Sequence, residues 1–180
     1  MIVMAIDQSL CSTGYAVLDY REGENEVREG SERYTYRTWG RITTKKNDGE
    51  ILERMNKIVG EIAIVANKFE PNYIVLERPI VRNGMKTAQD LAGLYYVIAC
   101  KLMRMGFSVT TVVNTTWKKS VGVEGKDRKE QKESSKKMAY ELIKQEYLKD
   151  EKRFKLLNSD DEADAVCMAW YLAKEVEKNG

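Results

Sequence analysis

Asp7, Glu77 and the run Asp160-Asp161-Glu162-Ala163-Asp164 are the residues of this sequence best suited to chemistry. Asp7 follows the apolar run Ile2 to Ile6, and Glu77 follows the apolar run Tyr73 to Leu76, so each carboxylate stands where a strand leaves a core. An unpaired charge at such a place is costly unless a cation compensates it. Taken alone, Asp7 could equally cap its own turn, as aspartate often does. Asp161 and Asp164 are three apart and share one face of a helix. Asp160 and Asp164 are also one turn apart, which leaves open whether Asp160 or Asp161 belongs to the pair. Ser159 or Asp160 would cap that helix, and acids in a first turn complement the helix dipole. That explains one or two of the acids and leaves the rest.

The chain contains no histidine. This excludes a Ser-His or Cys-His nucleophile pair, histidine-ligated zinc and a nuclease that uses imidazole as its base. Asp7, Glu77, Asp161 and Asp164, if they converge without histidine or lysine neighbours, repel one another unless cations intervene. A set of hard oxygen donors fits Mg²⁺, which joins carboxylates to phosphates. The chemistry expected of such a set is two-metal attack of water on a phosphodiester, with no protein nucleophile.

A basic segment stands ready for phosphates. Between Lys118 and Lys137 there are eight basic residues against four acidic ones, a larger surplus than the net charge of +2 carried by the whole chain. Gly122 and Gly125 interrupt it, so its first half is expected to be a flexible loop. A helix follows, with Met138, Ala139, Leu142, Ile143 and Tyr147 on its apolar side. A basic loop beside an acid cluster can grip phosphates while the acids hold metal; the competing reading is a solvated, charge-rich face.

Length and composition set the frame. One hundred and eighty residues with 43% hydrophobic and 32% charged content suit one soluble domain. No run is long enough to span a bilayer, and the start does not look like a signal peptide, so a cytoplasmic location is expected. Cys11, Cys100 and Cys167 form no CxxC pair, and Cys100 and Cys167 read as buried thiols.

The elements follow from periodicity. Ile2 to Ile6 and Thr13 to Leu18 predict a hairpin, and Arg33 to Thr43 predicts a half-exposed edge strand. Gly49 to Phe69 carries apolar residues at helical spacing, with Asp48 placed to cap the start, until Pro71-Asn72 breaks the pattern. Tyr73 to Leu76 reads as a central strand buried on both faces. A second helix is expected from about Lys86 to Met105. Leu91, Leu94, Tyr95, Ile98 and Leu102 form one apolar face, and Ala88, Ala92, Tyr96, Ala99 and Met103 form another. Two such faces on one helix suggest self-association as a dimer. Phe107 to Val113 reads as a strand, and a helix opening at Asn158 to Ala165, with Val166, Ala169, Trp170, Leu172 and Ala173 inward, closes the chain.

The order strand-Asp, strand-Glu, helix DxxD resembles the RuvC-type Holliday junction resolvases of the RNase H-like, or retroviral integrase, superfamily. Ala5-Ile6-Asp7 with Thr13-Gly14-Tyr15, Val75-Leu76-Glu77, Lys118/Lys119 ahead of Val121-Gly122, and Asp161-Glu162-Ala163-Asp164-Ala165 carry the resemblance over nearly the whole chain. It implies a single RNase H-like α/β nuclease domain over residues 1–180, a mixed five-stranded sheet flanked by helices. It further implies a homodimer that nicks four-way and other branched DNA with two Mg²⁺ or Mn²⁺ ions per site, held by Asp7, Glu77, Asp161 and Asp164. Lys118 or Lys119, and Lys126 or Lys129, match basic positions beside the scissile phosphate. Arg128, Arg82 and Ile80 join them as expected DNA contacts. Ile80 stands where bacterial members carry an aromatic wedge, and Asp-Gln-Ser replaces their usual Asp-Pro-Gly turn. A lysine-rich chain of this kind resembles bacteriophage members that cut several branched structures. The alternatives are a YqgF-like, RNA-processing branch of the superfamily and a non-catalytic branched-DNA-binding module on the same fold.

Overall fold

The structure, a computed structural model, describes residues 1–21, 34–79, 85–146, 157 and 159–179. Five strands form one sheet: β1 (Ile2–Asp7), β2 (Ser12–Tyr20), β3 (Tyr34–Thr43), β4 (Tyr73–Glu77) and β5 (Ser108–Val112). The helices are α1 (Ile51–Phe69), α2 (Met85–Arg104), α3 (Asn114–Val121), α4 (Arg128–Glu146) and α5 (Asp160–Asn179). The sheet order is β3-β2-β1-β4-β5. β1, β2 and β3 are antiparallel neighbours, whereas β4 runs parallel to both β1 and β5. This is the mixed, RNase H-like α/β sheet that the sequence led us to expect, with β3 at its edge.

Strand alternation divides the apolar residues between two layers. Met4, Ile6, Val17, Ile74 and Leu76 pack with Ile58 and Ile62 of α1 and with Leu94, Ile98 and Leu102 of α2. Val3, Ala5, Ala16, Leu18, Val75 and Val112 face the opposite way, onto Trp117, Ala139, Ile143 and the alanine-rich body of α5. Continuing the same alternation by one residue puts Asp7, after Ala5, and Glu77, after Val75, on the α5 side. Ile6 pairs with Leu76 in parallel register, so the two acids end neighbouring strands side by side.

Gly14 brings the third element to them. It pairs with Asp7 across the hairpin and shares the α5-facing side of β2 with Ala16 and Leu18. The first turn of α5 rests directly on it: a Cβ at this position would lie 1.9 Å from the Asp161 carbonyl oxygen. The contact is backbone on backbone, which no side-chain rotation can relieve.

Several local expectations need correction. Asn114–Val121 is helix α3 and not part of a flexible loop. Its polar sequence hides a short apolar stripe, Trp117 and Val121, four apart and both buried. Gly122, at φ 77°, ends α3 in the left-handed conformation, so the glycines act as the break between two helices. Asp48 does not cap α1: it accepts the Lys45 N–H (2.9 Å) in a 3₁₀ turn, while Glu53 receives the N–H of Glu50 at the head of α1 (2.8 Å). Cys100 is exposed, on the outer side of α2, while Cys167 is buried as expected. Ser159 caps α5, its Oγ accepting the Glu162 N–H at 3.1 Å. Tyr147 lies outside the described residues. No helix among those described is long and apolar enough to cross a membrane.

The Gly14 contact predicts that Gly14→Ala lowers stability by about 1–3 kcal/mol, the usual cost of forcing a methyl group into packed structure. Urea unfolding reads this directly, and a midpoint equal to that of the parent protein would contradict the close approach.

Candidate active site

Asp7, Glu77, Asp161 and Asp164 line one cleft of about 520 Å³ at the end of β1 and β4. β1 and β4 deliver the first two, and the first turns of α5 deliver the others. Lys118, Lys126, Arg128 and Lys132 line the same cleft, so acids at its floor meet a basic surround. A turn follows Asp7 and leads into β2. Ser9 and Thr13 hold that turn, through Ser9 N–H to Thr13 Oγ1 (3.2 Å) and Thr13 Oγ1–H to the Ser9 carbonyl (2.6 Å).

The acids feel one another strongly. Burial first, then the charges of Glu77, Asp164 and Asp161, pushes the Asp7 carboxyl well above the usual carboxylate range. Asp164 is pushed up to about 6, again by burial above all, with Glu77 and Asp161 adding and with Ser135 and Lys118 opposing. Lys118 is thus a cationic neighbour of the cluster, where the sequence suggested none. Asp160 lines the same cleft but is engaged differently: Lys132 and Lys136 of α4 both pair with it, the latter at 2.6 Å, and hold its carboxyl below the usual range. Asp161 and Asp164, by contrast, both add to the charge that raises the Asp7 carboxyl.

Three groups in this site escaped sequence reasoning. Asn114 Nδ2 donates to both Glu77 oxygens, at 3.0 and 2.9 Å, and the Trp117 indole N–H donates to Oε2 at 2.7 Å. Gln8, buried beside Asp7, donates to the Glu77 carbonyl. Polar residues inside a lysine-rich stretch gave no separate signal, and only the turn of α3 brings Asn114 and Trp117 onto Glu77.

The expected DNA contacts fall in different places. Lys118, Lys126 and Arg128 border the cleft. Lys119 borders an adjoining hollow of about 380 Å³ that it shares with Lys118 and Gly122. Lys129 is exposed on α4 and lines neither. Ile80 and Arg82 lie outside the described residues.

The donor set suits a hard divalent cation. Every candidate ligand is a carboxylate oxygen, and Asp164 Oδ1 is buried without a hydrogen-bond partner among the described residues. The acids surround the cleft and do not close into a cage: among the described residues no group of three or more reaches metal-ligand spacing.

A mixed sheet in this order, with acids ending two adjacent strands and a third pair on the helix packed across them, defines a nuclease of the RNase H-like fold. The sequence matches the family described as Crossover junction endodeoxyribonuclease RuvC over residues 3–169. The chain belongs to that family and is accordingly a structure-selective junction endonuclease. Similar solved structures include Thermus thermophilus RuvC in complex with a Holliday junction substrate, at 16% identity, TM-score 0.73 and 98% coverage of both chains. The fowlpox virus resolvase in complex with Holliday junction DNA aligns at 14% identity and TM-score 0.66, over 98% of this chain and 99% of that one. The yeast mitochondrial Holliday junction resolvase aligns at 15% identity and TM-score 0.62, over 98% of this chain and 81% of that one. At these identities the structural likeness speaks for the fold. No curated protein matches the sequence.

The raised Asp164 carboxyl has a stability consequence. The folded state keeps its proton up to about 6, whereas an ordinary aspartate loses it near 3.8, so the metal-free protein loses stability as pH rises through that window. In EDTA, Asp164→Asn is expected to raise stability at pH 7 by about 2 kcal/mol and to change little below pH 4. Thermal unfolding at the two pH values tests this, and equal melting temperatures at pH 7 would refute it.

Proposed function

We propose that residues 1–180 act as one RNase H-like nuclease domain that binds four-way and other branched DNA as a homodimer and nicks its strands by metal-assisted hydrolysis. The observation that carries this reading is the meeting of Asp7, Glu77, Asp161 and Asp164 in one cleft bordered by Lys118, Lys126 and Arg128. Phosphodiester cleavage needs both halves of that arrangement, since acids alone would repel the substrate.

The four carboxylates would hold two Mg²⁺ or Mn²⁺ ions. Bound there, a pair of such ions supplies an activated water and stabilises the departing oxygen of an in-line displacement. The chain's own residues do the rest. Lys118 lies close enough to influence both Asp7 and Asp164, so its ammonium is suited to meet the scissile phosphate beside them. Lys126 and Arg128 are placed at the cleft to hold adjoining phosphates, and Lys119 extends the basic surface into the next hollow. Lys129, exposed on α4 and lining neither hollow, remains a proposed contact, as do Arg82 and Ile80 outside the described residues.

Dimerisation is proposed through α2. Its buried face is occupied by Leu94, Ile98 and Leu102, while Tyr96 and Met103 are 63% and 61% exposed on the other side. Large apolar residues left in water along a helix suit a second copy of the same helix.

Cleavage and assembly can each be tested. Purified protein should nick a synthetic four-way junction with Mg²⁺ and leave linear duplex and structured RNA intact, with no cutting in EDTA. Asp7→Asn should bind the junction normally and lose at least about 100-fold in cleavage rate, a scale typical of removing a metal ligand or its support. Undiminished cutting by that variant would discard the mechanism. For the dimer, sedimentation should give twice the 20.7 kDa chain mass, and Tyr96→Glu should return it to the monomer. A monomeric parent protein at micromolar concentration would remove the α2 interface.

A further inference from the structure

We propose that Asn114 and Trp117 are positioning residues for metal binding, which fix the Glu77 side chain so that Oε1 alone faces a cation. This rests on the metal-dependent reading above and goes beyond it by assigning a role to a helix that carries no acid. A carboxylate offers about four lone-pair directions, two on each oxygen. Trp117 donates to Oε2 (2.7 Å), and the Asn114 amide is shared between Oε2 (2.9 Å) and Oε1 (3.0 Å), so among the described residues Oε2 takes two donors and Oε1 one, which leaves Oε1 the more open oxygen. Glu77 is thereby biased toward one-oxygen coordination.

The support for this geometry is rigid. Trp117 is fully buried in the α5-side core, so its indole N–H cannot turn elsewhere without unpacking α3. Asn114 opens the same helix, three residues earlier, and reaches Glu77 from the same side. Gln8 adds a third tether by donating to the Glu77 carbonyl, so backbone and carboxylate are both held. A glutamate has three rotatable side-chain bonds, and leaving them free would cost entropy each time an ion bound. A clamp already in place removes that cost and also prevents Glu77 from closing round an ion with both oxygens. Lys118 follows Trp117 on α3, so the helix that sets the ligand also carries a cation whose charge acts on both Asp7 and Asp164.

Removing partners that orient a metal-ligating carboxylate commonly weakens metal affinity or activity by about 10–100-fold. Trp117→Phe keeps the buried ring and removes only the N–H, and Asn114→Ala removes both amide contacts. The test titrates Mn²⁺ into metal-free protein without DNA, by calorimetry and by electron paramagnetic resonance, and repeats it for both variants after circular dichroism confirms folding. Each variant is expected to bind Mn²⁺ about tenfold more weakly, and its junction cleavage should approach the parent rate only at about tenfold higher metal. Parent affinity in both folded variants would overturn the clamp while leaving the nuclease reading intact. If the parent protein itself bound no Mn²⁺, the metal reading would fail first. An activity loss that high metal does not restore would mark the two residues as supports of the core and also overturn the proposal.

Discussion

Gathering several carboxylates at one end of a sheet is the constraint on which the rest of this structure turns. Two unit charges 4 Å apart repel by about 4 kcal/mol even at an effective dielectric of 20. Whole domains are stable by only about 5–15 kcal/mol, so four fully ionised acids in a half-buried cleft would threaten the fold. The chain answers with several small measures. Asp7 and Asp164 keep their protons to higher pH, Lys118 lends a positive charge, and Glu77 is satisfied by an amide and an indole. Each measure is local, and each lowers the repulsion that the ionised cluster would carry.

Holding these groups in register needs little beyond backbone periodicity and one missing side chain. Asp7 and Glu77 share a face because each follows an α5-facing strand residue by two positions, and they are neighbours because β1 and β4 run parallel. Gly14 then lets the first turn of α5 approach so closely that Asp161 arrives beside them. The alanines at 163, 165, 169 and 173 are buried without exception, which allows the helix to lie flat on the sheet along its length. The site is therefore built on strand ends and a packed helix, elements whose positions are shared with the core.

What could be read in the sequence was whatever repeats with a period. The strand ends at Asp7 and Glu77, the three-residue spacing of Asp161 and Asp164, and the buried face of α2 all carry a two-residue or helical rhythm that survives without coordinates. α3 was missed because its apolar stripe has only two members, Trp117 and Val121, among lysines and threonines. The α1 cap was misplaced because Asp48 is the more usual capping residue, while the glutamates at 50 and 53 do the work at the helix head. Asn114 and Trp117 were invisible for another reason: their role exists only when residues nearly forty positions apart are folded together.

The run Asp160 to Asp164 shows how one short acidic stretch serves several ends. Successive residues of a helix point about 100° apart, so neighbours in sequence meet different surroundings. Asp160 faces α4 and pairs with Lys132 and Lys136, tying the two helices together. Glu162 is buried on the side of the sheet edge, 3.8 Å from Arg41 of β3. Asp161 and Asp164, one turn apart, line the cleft with Asp160 and without a lysine of α4 paired to them among the ion pairs described. Spacing leaves Asp160 and Asp161 equivalent, and the lysines of α4 are what distinguish their surroundings. That pairing has a second consequence. Lys132 and Lys136 share the single Asp160 carboxylate, which offsets one of their two charges, so part of the segment's surplus is met within the protein. A surplus counted along the sequence overstates what a substrate meets, because the helix turns part of it onto the protein's own acid.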